Sequence, residues 1–186
     1  MKPFIAITLA ATLALAAALP VPADEKEAFE SSAWGTHARP GVAPVRNRLY
    51  REECGSCHMA YPPGLLPAQS WERIMTSLDD HFGENAELPE RDRVRILNYL
   101  LDYAAGRADY RVSNRVMWDL KGQQPPLRIT ELPYFRREHH ELSPRMVRKN
   151  PKVRSFSNCD LCHVRADKGS FDEHEVYIPG YGRYDD

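Results

Sequence analysis

The chain has 186 residues, with 25 basic and 26 acidic side chains and a formal net charge of −1. That balance excludes the strongly basic footprint of a nucleic-acid binder, and the length suits one ordinary domain or two small ones. Fifteen prolines and ten glycines argue for extensive loop structure.

Lys2 precedes an apolar stretch over 5–19, interrupted only by Thr8 and Thr12, and Pro20-Val21-Pro22-Ala23 follows. A charged start, an apolar middle and a small-residue exit read as a secretory signal peptide over 1–23, cleaved after Ala23. The rival is an uncleaved anchor, but a membrane-spanning helix needs about 20 apolar residues. Loss of Lys2 leaves the mature chain at −2.

His37 sits in a Gly/Pro-rich arm and reads as a solvated histidine. A short helix over 45–53, with Pro44 suited to its first turn, leads into Cys54-Gly55-Ser56-Cys57-His58. Tyr61-Pro62-Pro63-Gly64 must be a loop. Beyond it Trp71, Ile74, Met75, Leu78 and Phe82 recur at helical spacing, which places His81 at a helix end. Pro89 opens a third helix, with Val94, Leu97, Leu101 and Ala104 on one side, and Gly106 closes it.

No period holds over 109–126, and Gly122-Gln123-Gln124-Pro125-Pro126 reads as a linker or exposed loop. Leu132-Pro133 begins a short helix carrying Glu138, His139, His140 and Glu141, and Ser143-Pro144 is expected to start another. Pro151 forces a break before Cys159-Asp160-Leu161-Cys162-His163. The tail over 171–186, rich in tyrosine, glycine and acid, is expected to wrap irregularly over whatever the second motif holds.

The two Cys-x-x-Cys-His copies use all four cysteines, and each reads as a covalent c-type haem site. Two thiols three positions apart reach the two vinyl groups of one haem, and the histidine behind them binds iron. Zinc ribbons place their pairs about 15–20 residues apart, whereas Cys57 and Cys159 lie in different halves of the chain. A thioredoxin-like redox pair needs a strand-helix-strand setting that is missing here. Neither rival explains a histidine after both pairs. Two covalently bound haem c groups are therefore expected, in a mainly α chain of two small haem domains, 24–108 and 109–186. A haem plate supplies much of the core that so small a domain otherwise lacks. Export and thioether attachment together indicate the periplasm.

An iron with two protein ligands passes electrons, whereas an open position binds small molecules. Opposite His58 the favoured ligand is His81, with Met75 the competitor, although Met75 falls in the apolar row and reads better as core. Met59 is too close to His58 to reach across the ring. Opposite His163 the candidates are His139, His140 and His174, with a methionine or an open iron as alternatives. His139 and His140 point about 100° apart on a helix, so only one can face iron, and His139 leads. Imidazole on both faces implies low potential, because methionine ligation raises it. Arg136, Arg137, Arg145, Arg148, Lys149, Lys152 and Arg154 form a docking face, neutralise haem propionates or simply meet solvent. His140-Glu141 is not a zinc-protease motif, because position 144 is proline.

The run from Cys54 to Pro67, with Trp71, His81-Phe82-Gly83, Ile129-Thr130-Glu131-Leu132-Pro133 and Glu138-His139, resembles the bacterial dihaem cytochromes c called DHC. The resemblance spans nearly all of the mature chain. It implies a first half similar to class I cytochromes c, a smaller and irregular second haem domain with short helices, and bis-histidine ligation by His58 with His81 and His163 with His139. It implies electron transfer, with an oxygen-binding monohaem cytochrome c and a membrane b-type cytochrome as partners. The expected function is thus a soluble periplasmic shuttle. The alternative is a small dihaem enzyme, a peroxidase or reductase with one open iron, which needs an acid-base group beside it. A haem-based gas sensor is a third class, for which no signalling domain is present.

Overall fold

The computed structural model describes residues 40–184. The expected signal peptide at 1–23 and His37 lie outside those residues. The fold is mainly helical, built of short helices: α1 (Arg48–Glu53), α2 (Ala68–Met75), α3 (Glu90–Asp102), α4 (Arg111–Leu120) and α5 (Pro133–Glu138). A two-stranded antiparallel hairpin, β1 (Tyr177–Ile178) and β2 (Gly182–Arg183), pairs Tyr177 with Arg183 and Ile178 with Gly182. Both Cys-x-x-Cys-His motifs begin on single 3-10 turns, Cys54–Ser56 and Cys159–Leu161.

α1 starts three residues later than the proline suggested. The Asn47 side chain accepts a hydrogen bond from the Tyr50 amide (3.0 Å) and caps the helix there. α2 ends at Met75, before the apolar row runs out. The Thr76 and Ser77 hydroxyls bond back to the Arg73 carbonyl, each at 3.0 Å, and such local bonds compete with helix continuation. The chain then takes a 3-10 turn, Leu78–Asp80, so His81 follows that turn rather than ending the helix, and Phe82 is exposed.

α3 packs against α2. Its buried row is Asp92, Ile96 and Leu100, one residue round from the expected Leu97 and Leu101, while Ala104 of the expected row is buried just beyond the helix end. Leu97 and Leu101 flank the core half-buried, and Val94 is exposed. The apolar arc of this helix is wide, and packing rather than sequence chooses its centre.

α4 lies where no period was expected. Val112, Val116 and Leu120 are spaced four apart and buried, with Ser113 buried beside them. The Ser113 hydroxyl donates to the Gly64 carbonyl (2.9 Å). A Cβ on Gly64 would sit 2.5 Å from the Ser113 oxygen, so this close approach admits only glycine. The core therefore joins Val42, Tyr50, Leu66, Trp71, Ile96 and Leu100 to α4 and Leu132, spanning the expected boundary between 108 and 109. The Trp71 indole N–H donates to the Pro63 carbonyl (2.8 Å), which removes the cost of burying it.

Beyond α5 the chain is mostly turns. The helix expected from Ser143-Pro144 is absent: 144–149 are turns closed by a bond from the Lys149 amide to the Pro144 carbonyl (2.8 Å). Pro151 prevents any longer helical run here. The Asn150 side chain instead donates to the Met146 and Pro179 carbonyls (3.1 and 2.8 Å), tying this segment to the hairpin. The tail is thus more ordered than expected, with Ile178 fully buried.

Candidate haem sites

The first site stands on regular structure. α1 delivers Cys54, and the turn after it leaves Cys57 exposed and His58 half-buried. The His58 Nδ1 lies 2.7 Å from the Met59 carbonyl oxygen. A carbonyl only accepts, so Nδ1 carries the proton and the Nε2 lone pair is available to a metal. His81 is held opposite by a tight turn: its amide donates to the Glu84 carbonyl (2.7 Å), and the Gly83 amide donates to Asp80 Oδ1 (3.0 Å). Gly83 adopts φ +103°, which favours glycine and brings the chain sharply round. The Phe82 edge meets the His81 ring at 4.9 Å, and the Arg128 guanidinium lies 4.1 Å over Phe82. Burial, then His58 and Arg128, lowers the His81 pKa, which favours the neutral, metal-binding imidazole.

The His58 and His81 ring centroids are 6.3 Å apart, with planes 21° from parallel. Metal–imidazole bonds are about 2.0 Å, and a ring with bonds of about 1.33 Å has its centre roughly 1.1 Å from each atom. Imidazoles on opposite faces of one iron therefore have centroids roughly 6 Å apart. The first pair fits that spacing.

The second site is a cavity. Cys159, Cys162 and His163 line it with His139, and Phe135, Phe156, Phe171, Val153 and Ile178 form apolar wall. His139 caps the C-terminus of α5 and stacks on Phe135 (3.9 Å). Its Nδ1 lies 2.9 Å from the Phe135 carbonyl oxygen, so again the proton sits on Nδ1 and the lone pair on Nε2. The His139 and His163 centroids are 6.0 Å apart, with planes at 70°. This pair also has the spacing of two imidazoles about one iron.

His163 differs from His58 in one respect. Its Nδ1 is shut off from solvent and has no hydrogen-bond partner among the described residues. Burial, reinforced by His139, lowers its pKa to about 3, so the ring stays neutral. A buried, neutral imidazole in a mostly apolar cavity beside two thiols suits a haem and poorly suits solvent. Burial also pushes the thiols up, Cys54 and Cys162 to about 11 and Cys159 to about 12. None of the four is in a disulfide.

The remaining candidates point elsewhere. His140 is exposed, with Nδ1 on the Arg137 carbonyl (2.8 Å) and Nε2 3.6 Å from Glu141. His174 meets Asp172 (3.0 Å) and does not line the cavity. Met75 is buried in the helical core, and Met59 contributes its carbonyl to His58. Within the basic stretch, Arg137 pairs with Asp119 and Glu138, and Arg148 lies 5.9 Å over Phe156.

The sequence reading passed over two features. The aromatic wall had a signal in the four-residue spacing of Phe135 and His139. Tyr61, read only as loop, stacks on His58 (4.7 Å, 21°) and donates its hydroxyl to the Ser157 carbonyl (2.7 Å), 96 residues away. No local pattern announces that contact.

The family model for dihaem cytochrome c matches residues 50–171, a span that contains both haem motifs. Among solved structures, a diheme cytochrome type c from Shewanella baltica is 46% identical, covering 75% of this chain and 98% of that one, with a TM-score of 0.62. A diheme cytochrome c from Rhodobacter sphaeroides is 45% identical, covering 70% and 99%, with a TM-score of 0.59. A search of curated proteins found no match. The chain belongs to the dihaem cytochrome c family, and its four cysteines carry two covalent haem c groups.

Proposed function

We propose that the protein is an exported, low-potential electron shuttle in which two imidazoles close each iron, His58 with His81 and His163 with His139. The observation that carries this reading is the ring spacing, 6.3 Å in one pair and 6.0 Å in the other. When bound, haem supplies one-electron redox chemistry. The chain does the rest. Cys54, Cys57, Cys159 and Cys162 anchor it. The Nδ1 protons of His58 and His139 lock the rings with Nε2 forward, and Phe135, Phe156 and Phe171 help keep water from the second site.

Two nitrogen ligands without methionine sulfur favour low potential, which suits a donor. The signal-like segment at 1–23 supports a periplasmic location, and among the described residues no helix is long and apolar enough to cross a membrane. The family resemblance supports a membrane b-type cytochrome as donor and an oxygen-binding monohaem cytochrome c as acceptor. Arg136, Arg145, Arg148 and Lys149 are exposed, and Arg148 lies over Phe156 of the second cavity, which suits an acidic docking partner or the propionates.

The test is the visible spectrum of dithionite-reduced holoprotein before and after carbon monoxide. An unchanged Soret band is expected. A shifted band would reveal an open or weakly held iron, and the small dihaem enzyme, a peroxidase or reductase, would replace the shuttle.

A further inference from the structure

We propose that Tyr61 is the electronic bridge between the two haem sites, its ring on His58 and its hydroxyl on the backbone beside Cys159. The inference rests on the shuttle reading and names the route by which its two halves communicate. The Tyr61 ring stacks on His58 with centroids 4.7 Å apart and planes 21° from parallel. Its hydroxyl donates to the Ser157 carbonyl at 2.7 Å. That carbonyl oxygen also lies 3.7 Å from Cys159 Sγ. Once the sulfur is a thioether it has no proton to give, so this last contact is van der Waals. The route from the proximal imidazole of one site to the anchoring sulfur of the other is one ring stack, one phenol, one hydrogen bond and one sulfur contact. No solvent gap interrupts it, and electronic coupling decays more slowly through bonds and close contacts than across open space.

The surroundings hold Tyr61 in this place. The buried Tyr50 donates its hydroxyl to the Tyr61 carbonyl (2.8 Å), and Pro62 and Pro63 stiffen the chain that follows. A tether between two segments needs only the hydrogen bond. Here the same side chain also lies flat on a candidate iron ligand, which a tether does not require.

The test compares holoprotein of wild type, Tyr61→Phe and Tyr61→Leu at half reduction. NMR exchange spectroscopy on the shifted haem methyl resonances, extrapolated to zero protein concentration, gives the rate of electron exchange within one molecule. Redox titration of the same samples gives both potentials. Tyr61→Phe keeps the stack and is expected to slow exchange several-fold at unchanged potentials and spectra. Tyr61→Leu, lacking stack and hydroxyl, is expected to slow it further. A wild-type rate in both variants overturns the proposal, as does a slowing fully accounted for by a changed gap between the potentials. Carbon monoxide binding by the wild type would remove the shuttle reading but leave the comparison of rates intact.

Discussion

His81 reaches His58 through a tight turn anchored on a helical core, whereas His139 reaches His163 from the end of a six-residue helix across a cavity. Around the first pair, Cys54, Ala60 and Tyr61 pack against a core that includes Trp71, Ile96 and Leu100 and forms without a cofactor. The second cavity is walled on one side by Val112 and Val116 of α4 with Leu65 and Leu132, and on the other by turns, 3-10 segments and the hairpin, whose apolar residues line the cavity. The His58 Nδ1 has a carbonyl partner, and the His163 Nδ1 has none among the described residues. One haem is thus added beside a core that exists already, and the other has to complete the packing of the turn-rich segments laid against that core. Segments too short to bury their own apolar surface need such a staple.

The sharpest way to break that contrast is to remove one haem at a time. Replacing Cys159 and Cys162 with serine is expected to unfold much of 132–184, seen as loss of amide protection over that span. The same change at Cys54 and Cys57 is expected to leave protection in α2, α3 and α4. Equal loss from both variants would show that the first site depends on its haem as heavily as the second.

A smaller effect sharpens the contrast from the protein side. Leu100 is fully buried in the helical core, and Leu100→Ala is expected to cost about 2–5 kcal/mol in denaturant unfolding. Both irons should stay closed to carbon monoxide in this variant. A cost below about 1 kcal/mol would mean that the core is not the independent support described here.

Single changes at the proposed ligands are expected to act locally. His81→Ala and His139→Ala are each expected to open one iron of the two, with a carbon monoxide shift of about half the amplitude of a fully open protein. His140→Ala, next in sequence to His139, is expected to leave the spectrum unchanged, because its ring faces solvent and Glu141. A shift in His140→Ala with none in His139→Ala would exchange their roles.

How far the sequence could be read varied with the range of the interactions involved. The helical rows of α2 and α3 were visible as periods, but the end of α2 depended on the Thr76 and Ser77 hydroxyls, and the buried face of α3 on its contact with α2. α4 escaped notice because its buried face is short and includes Ser113, a polar residue made acceptable by the Gly64 carbonyl. The turns over 144–149 hang on Asn150, whose partner Pro179 is 29 residues away. Except at the end of α2, where Thr76 and Ser77 bond back to Arg73 within one turn, the deciding partner is distant along the chain, and a local window cannot contain it.

The haem chemistry was a property of the sequence alone. Thioether attachment and proximal ligation are carried by five consecutive residues, so Cys54 to His58 and Cys159 to His163 announce them before any folding. The narrowing among His139, His140 and His174 came from the tertiary structure. It turns on which imidazole faces an apolar cavity with its Nδ1 proton already committed, and that depends on the Phe135 carbonyl, the wall of Phe156 and the position of His163 across the gap. The contact of Tyr61 with both sites is of the same kind. Covalent motifs are written in adjacent residues, but the opposite face of each iron is set by packing between segments that meet only when the chain has folded.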